Sequence, residues 1–387
     1  MFFVLALLAF FAIAVPDAML GVAWPFMRLT LDQPLAAMSL VLPFGVAGTL
    51  VSASVWTWAA ARVGLGRLLA GSVALSVVAL LCCAVAPAFW VVAASAVLFG
   101  LSGGAIDAAL NSYAARHFGP RQINLMHAAY GVGAASSPLI VTAVISFGGS
   151  WRWAYVIVLI TQVVLAVVFA ASSRRWNEAP RNDDAKSPPA TSGRRRWWPP
   201  PGRAAAGMLV VAVESGLESV IGLWAFVFLL DGVELGPALA GIVVSGYWVA
   251  LVAGRVVLGS VAERVGIWPV LAVVSMVAVV AAALLLSGRP IPAAAGVVVL
   301  GLALAPVYPL LVLTTAERSS GRSVDRLVGF QGAADTVGSI GFAGFVGVIM
   351  GGDLDGFAYC VLVLALICAA GIWALQPGRH PTARSSG

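Results

Sequence analysis

Charge is what this sequence has least of. Only 10% of its 387 residues are Asp, Glu, Lys or Arg, against about 25% in an ordinary soluble domain. Hydrophobic residues make up 61%, and the mean hydropathy is +1.00. In water such a chain would expose large apolar patches and aggregate, so a lipid environment is expected. Cysteine is scarce: Cys82, Cys83, Cys360 and Cys368 all lie inside apolar runs. No pair has the C-x-x-C spacing of a zinc or redox site, and they read as small packing or lipid-facing residues. The three histidines are far apart and suggest no metal cluster. Also missing are G-x-S-x-G, a P-loop and H-E-x-x-H, which argues against the enzyme chemistries those motifs serve. Neither an enzyme nor a cofactor is expected. The net charge of +6 sits in short connecting segments rather than in a patch, so nucleic acid is not an expected partner.

What the chain does have is long apolar runs. A membrane span needs about 20 mostly apolar residues. Candidates fall at 2–27, 39–61, 67–87, 90–114, 125–148, 152–173, 204–230, 239–261, 268–287, 291–316, 326–350 and 356–375. The fold expected is an all-α integral membrane protein with twelve spans. Residues 174–203, rich in Pro, Ser and charge, cannot bury a core and read as a linker. They separate an N-terminal bundle, 1–173, from a C-terminal bundle, 204–375, which a tail follows at 376–387. The first run has no basic leader segment and carries Pro16 and Asp17, so it reads as a helix rather than a signal peptide.

Basic residues set the expected orientation. With both termini cytoplasmic, 18 of the 22 Lys and Arg lie on the inside and three, Arg28, Arg152 and Arg289, on the outside. That bias follows the positive-inside rule. Only one basic residue is lysine, and alanine, valine and arginine are frequent. This composition suggests a GC-rich bacterial source, and hence an inner-membrane location.

The two halves echo each other at an offset of about 201 residues. Arg62-Val63-Gly64 matches Arg264-Val265-Gly266, and Phe99-Gly100-Leu101 matches Leu300-Gly301-Leu302. Asp17, Gly21 and Trp24 fall opposite Glu218, Gly222 and Trp224. Internal repeats of this kind are common in transporters, which bind substrate near the midplane between the halves.

The stretch Gly259-Ser260-Val261-Ala262-Glu263-Arg264-Val265-Gly266 resembles the G-x-x-x-[DE]-R-x-G loop of the major facilitator superfamily. The equivalent stretch in the first half keeps Arg62 and Gly64 but has Ala61 in place of the acid. Within that superfamily the chain is similar to the fucose-permease-like branch. The similarity lies in Asp17-Ala18-Met19-Leu20-Gly21-Val22-Ala23-Trp24-Pro25, in 104–111, in 125–133 and in 216–224. The resemblance implies two pseudo-symmetric six-helix bundles and cation-coupled transport of a small hydrophilic solute. Gating or structural roles then fall to Arg62, Arg255, Glu263 and Arg264, with Arg255 suited to pairing with a loop acid at the cytoplasmic gate.

Acids inside spans carry the expected chemistry. An ionised side chain at mid-bilayer costs roughly 2.5–3.5 kcal/mol even on the mildest scales, so Asp17, Asp107, Glu214, Glu218 and Asp335 should face a cavity, a partner or a proton. Asp17, Asp107 and Glu218 are the expected proton or cation ligands. Asp107 and Asn111, four apart, share a helix face. Asn111, His127, Tyr130, Tyr308 and Asp335 are expected to bind solute, with Asp335 alternatively pairing with Arg326 or Arg255. Trp24 and Trp224 are expected as stacking surfaces, although tryptophan also populates membrane interfaces. The reading that results is a monomeric, proton-coupled or sodium-coupled symporter of a sugar or polyol. Its rival is a proton-driven exporter, which a cavity with apolar and aromatic walls and few acids would favour. A receptor or scaffold without transport is disfavoured, because no sizeable soluble domain is present.

Overall fold

In the computed structural model, residues 2–177, 202–315 and 324–377 are described. Thirteen helices fill them: α1 (Phe2–Thr30), α2 (Met38–Val63), α3 (Leu65–Ala84), α4 (Phe89–His117), α5 (Pro120–Ser146), α6 (Trp151–Asn177), α7 (Gly202–Val227), α8 (Pro237–Val265), α9 (Ile267–Leu285), α10 (Pro290–Leu304), α11 (Val307–Leu313), α12 (Val324–Met350) and α13 (Gly356–Leu375). A π turn, Phe228–Gly232, extends α7. Twelve helical stretches are long and apolar enough to cross a membrane, and every expected span is occupied. Most of the linker and of the tail lies outside the described residues, as does the Arg326 side chain.

Span ten departs from expectation. It is built from α10 and α11, interrupted at Ala305-Pro306. Proline has no N–H to donate and disfavours helix in the residue before it. The stretch 259–266 differs as well: all but its last residue belong to the final turns of α8, and only Gly266 breaks the helix.

The repeat is visible in the packing. In the first half α1 packs on α5, α2 on α4 and α3 on α6; in the second, α7 packs on α12, α8 on α10 and α9 on α13. Gly64 and Gly266, which end the two Arg-Val-Gly echoes, have φ of 87° and 97°, the left-handed region that glycine occupies at little cost. Gly100 and Gly301 explain the second echo. A Cβ on Gly100 would run into the Gly45 carbonyl of α2, and one on Gly301 into the Tyr247 carbonyl of α8. Each glycine therefore permits the same close helix crossing.

The halves meet at several points at the end of the bundle away from the linker. There Gly21 lies against the Leu223 backbone, Thr142 against Gly241, and Gly347 against Ser39. Arg28, ending α1, pairs with Asp231 of the π turn at 3.7 Å. The halves also touch lower down, where Gly131 of α5 meets Val252 of α8. Toward the linker end Asp107, His127 and Arg255 are exposed. The interior is thus shut at the far end and reached from the linker end.

Candidate functional site

Asp17 reaches the interior because of the residue before it. Pro16 cannot donate to the Ala12 carbonyl, which would otherwise be left unsatisfied in the middle of α1. Gln162 of α6 supplies the missing donor through its side-chain amide, and Ser137 of α5 donates to the Val15 carbonyl at 2.5 Å. These bonds fix the proline turn, and Asp17 follows it on the inner surface. A cavity of about 340 Å³ opens beside it, at the small end of the roughly 300–1,000 Å³ typical of ligand pockets.

The cavity lining mixes polar side chains, Asp17, Thr49, Tyr130, Ser219 and Ser339, with apolar ones, Val41, Leu42, Val46, Val92, Ala96 and Phe99. Trp248 and Tyr155 complete it. The Tyr130 hydroxyl donates to Asp17 Oδ2 at 3.3 Å. Among the described residues no basic side chain forms an ion pair with Asp17, which is the single carboxylate on the cavity wall.

Below the cavity, toward the linker end, the first half places Asp107, Asn111 and His127. Asn111 Nδ2 donates to Asp107 Oδ1 at 2.9 Å across one turn of α4. The His127 ring stands edge-on to Phe10 with centroids 5.2 Å apart, and its charge is within reach of Asp107 and Arg255. Tyr130 lies within electrostatic reach of Asp17, Asp107 and Glu218 together, and so stands between the two halves.

In the second half, Arg255 Nη2 holds Glu218 through both carboxylate oxygens, at 3.3 and 3.4 Å. The expected partner of Arg255 was a loop acid; the pairing is instead inside the bundle, because Arg255 lies on α8 well above Glu263 and level with α7. Tyr247 donates to the Glu218 backbone carbonyl at 3.3 Å. Asp335 is half-buried and close to the Ser215 hydroxyl, and Tyr308 is near enough to feel its charge. Arg62 stacks over Trp58 at 4.6 Å, while Glu263 and Arg264 are exposed at the linker end.

Trp24 and Trp224 depart from the stacking role expected of them. Both are fully buried. Trp24 Nε1 donates to the Leu35 carbonyl and Trp224 Nε1 to the Ala343 carbonyl, each at 2.8 Å. A buried indole needs such a partner, and with it each ring ties its helix to a neighbouring segment near the closed end. In this conformation neither touches the cavity. Sequence reasoning missed most of the apolar lining, because Val92, Ala96 and Phe99 carry no polar signal within an apolar helix.

The geometry has the form of a two-bundle transporter with one central site. A family model described as Major Facilitator Superfamily matches residues 6–286, and the chain belongs to that family. No curated protein matches the sequence. Among solved structures, the nucleoside transporter NupG in a mutant form is similar with a TM-score of 0.75 at 12% identity, over 96% of this chain and 98% of that one. A bacterial homologue of the human lysosomal transporter Spinster, inward-facing and unoccupied, gives 0.74 at 15%, over 96% and 95%. The peptide transporter POT, also as a mutant, gives 0.71 at 13%, over 96% and 95%. At these identities the likeness is one of fold.

Proposed function

We propose that this chain is a proton-coupled secondary active transporter that moves a small polar solute by alternating access. The observation that carries the reading is Asp17: a carboxylate on the wall of a cavity between the halves, bonded to Tyr130 and unpaired with any cation. An unpaired charge there is expensive, so proton binding and solute binding should favour each other. With the carboxyl protonated the bundle can rock about its contacts and open at the far end. Termini and linker are read as cytoplasmic, in a bacterial inner membrane, which makes the described state inward-open. One chain holds both halves of the site, which supports a monomer.

For the solute, a sugar or polyol is favoured by the mixed polar and apolar lining of the cavity. Thr49, Tyr130, Ser219, Ser339 and Asp17 offer hydrogen bonds, while Phe99 and Trp248 offer faces for C–H surface. Asp107, Asn111 and His127 supply further polar groups on the route in. Sodium is the other coupling ion considered. The apolar part of the lining favours the second reading, export of a more hydrophobic metabolite or drug.

Purified protein in liposomes, given a panel of sugars and polyols under an inward proton gradient, tests this. A solute-evoked current that grows with the gradient and is lost in Asp107→Asn and in Asp17→Asn supports the symporter. Silence across the panel, with current evoked by hydrophobic cations instead, moves the reading to the exporter.

A further inference from the structure

Glu214 takes no part in the site described so far, yet it is the most deeply buried acid of the described residues, at 1% exposure. Its Oε1 has no hydrogen-bond partner, and its Oε2 has a long contact, 3.4 Å, from the adjacent Ser215 hydroxyl. The packing around it is tight. A Cβ on Gly338 would strike the Ala212 backbone, and one on Gly216 would strike Phe342, so α7 and α12 close on each other just before and just after Glu214. Among the described residues no group of three His, Cys, Asp or Glu side chains is placed to hold a metal ion.

The charged and titratable groups within reach of it are Glu218 on its own helix, Arg255 and Tyr247 from α8, Tyr308 from α11, Asp335 from α12 and Cys368 from α13. Of these Arg255 is cationic, and both oxygens of Glu218 already hold it. Asp335 is a half-buried acid one turn before the cavity-lining Ser339, and the Ser215 hydroxyl lies beside both carboxyls. Ser339, which lines the cavity one turn beyond Asp335, donates to the Ser215 carbonyl at 3.3 Å and fixes that backbone in place.

We propose that Glu214 is a second proton-binding site, filled from water through Asp335 and the Ser215 hydroxyl. A proton taken up from water by Asp335 passes to the Ser215 oxygen as that hydroxyl gives its own proton to Glu214, so the serine ends unchanged. Burial without a counter-ion favours the neutral carboxylic acid over the carboxylate. With no such ligand set around it, the carboxyl is suited to a proton rather than a metal cation. Protonation here, inside the second bundle and off the solute cavity, would couple the α7–α12 contact to the state of the central site. That link to transport rests on the function proposed above; the proton site itself does not.

The test is infrared spectroscopy of the full-length protein in lipid near neutral pH, following the carbonyl stretch of protonated carboxyl groups. The wild type is expected to show such a band, and Glu214→Gln to lose it. Asp17→Asn should keep that band even if it turns out not to affect transport, so the two readings fail separately. On transfer to heavy water the band should shift more slowly in Ser215→Ala than in the wild type. A Glu214→Gln spectrum identical to wild type overturns the proposal. So does a band abolished by sodium chloride but not by potassium chloride at fixed pH. If Glu214→Gln does not fold, equal exchange rates in wild type and Ser215→Ala overturn the relay.

Discussion

The two halves place an acid at the same point of the repeat and treat it in opposite ways. Asp17 in α1 lines the cavity with a tyrosine hydroxyl for company. Glu218 in α7 is held by Arg255. At the matching tryptophans the halves agree: Trp24 and Trp224 are both buried, and each donates to a backbone carbonyl. Positions that hold the bundle together have kept their role in both halves, whereas the acids have diverged. One half is left with a charge that a proton or solute can neutralise, and the other is neutralised from within. In this account the first half carries the proton site that faces the cavity, and the second holds the matching acid in a fixed ion pair.

This comparison can be broken at several points. The largest effect is expected from Asp17→Asn, which should lower gradient-driven accumulation by about 10–100-fold, the scale of ordinary coupling energies of roughly 1–3 kcal/mol. Glu218→Gln should reduce it far less. Uptake in liposomes, measured with whichever solute evokes current, checks both.

Next in size is Arg255→Ala, which strands Glu218. Breaking a fully buried pair costs about 3–5 kcal/mol and an exposed one about 0–1. Here the side chains are 39% and 23% exposed, so about 1–2 kcal/mol of stability should be lost. The double variant Arg255→Ala/Glu218→Gln should recover most of it in thermal unfolding. Failure of the second change to rescue the first would mean that Arg255 acts elsewhere, His127 being the neighbour its charge also reaches.

Smaller still, Trp24→Phe and Trp224→Phe should each cost about 0.5–1.5 kcal/mol for the lost hydrogen bond. The two losses should be similar, with solute affinity unchanged. A selective loss of affinity in either would return that ring to the binding site. Least of all, Arg28→Ala removes the 3.7 Å ion pair to Asp231, worth up to about 1 kcal/mol. It should raise labelling of Ser39→Cys at the closed end by an impermeant thiol reagent, by up to about fivefold.

Much of this was legible in the sequence, for a physical reason. Lipid requires every span to satisfy its own backbone, so a span announces itself by length and hydropathy alone. The repeat was legible where it depends on glycine: Gly64, Gly266, Gly100 and Gly301 mark turns and close crossings that tolerate little else. Acids inside spans stood out because burying them is costly. What remained hidden was which acid each arginine would choose, since Arg255 lies within reach of several in three dimensions and of none in sequence. The tryptophans misled for a related reason. Their position near an acid in the repeat suggested the site, but about two helical turns carried their rings toward the closed end. The Ala305-Pro306 interruption of span ten could have been read from its proline.

The most direct test of the central claim is charge movement after a rapid acid jump, on reconstituted protein with no solute present. The account predicts a transient proton-binding current in the wild type that is reduced in Asp17→Asn and retained in Glu218→Gln. Equal currents in the wild type and Asp17→Asn would contradict it, and would place the proton-accepting group outside the first half's cavity wall.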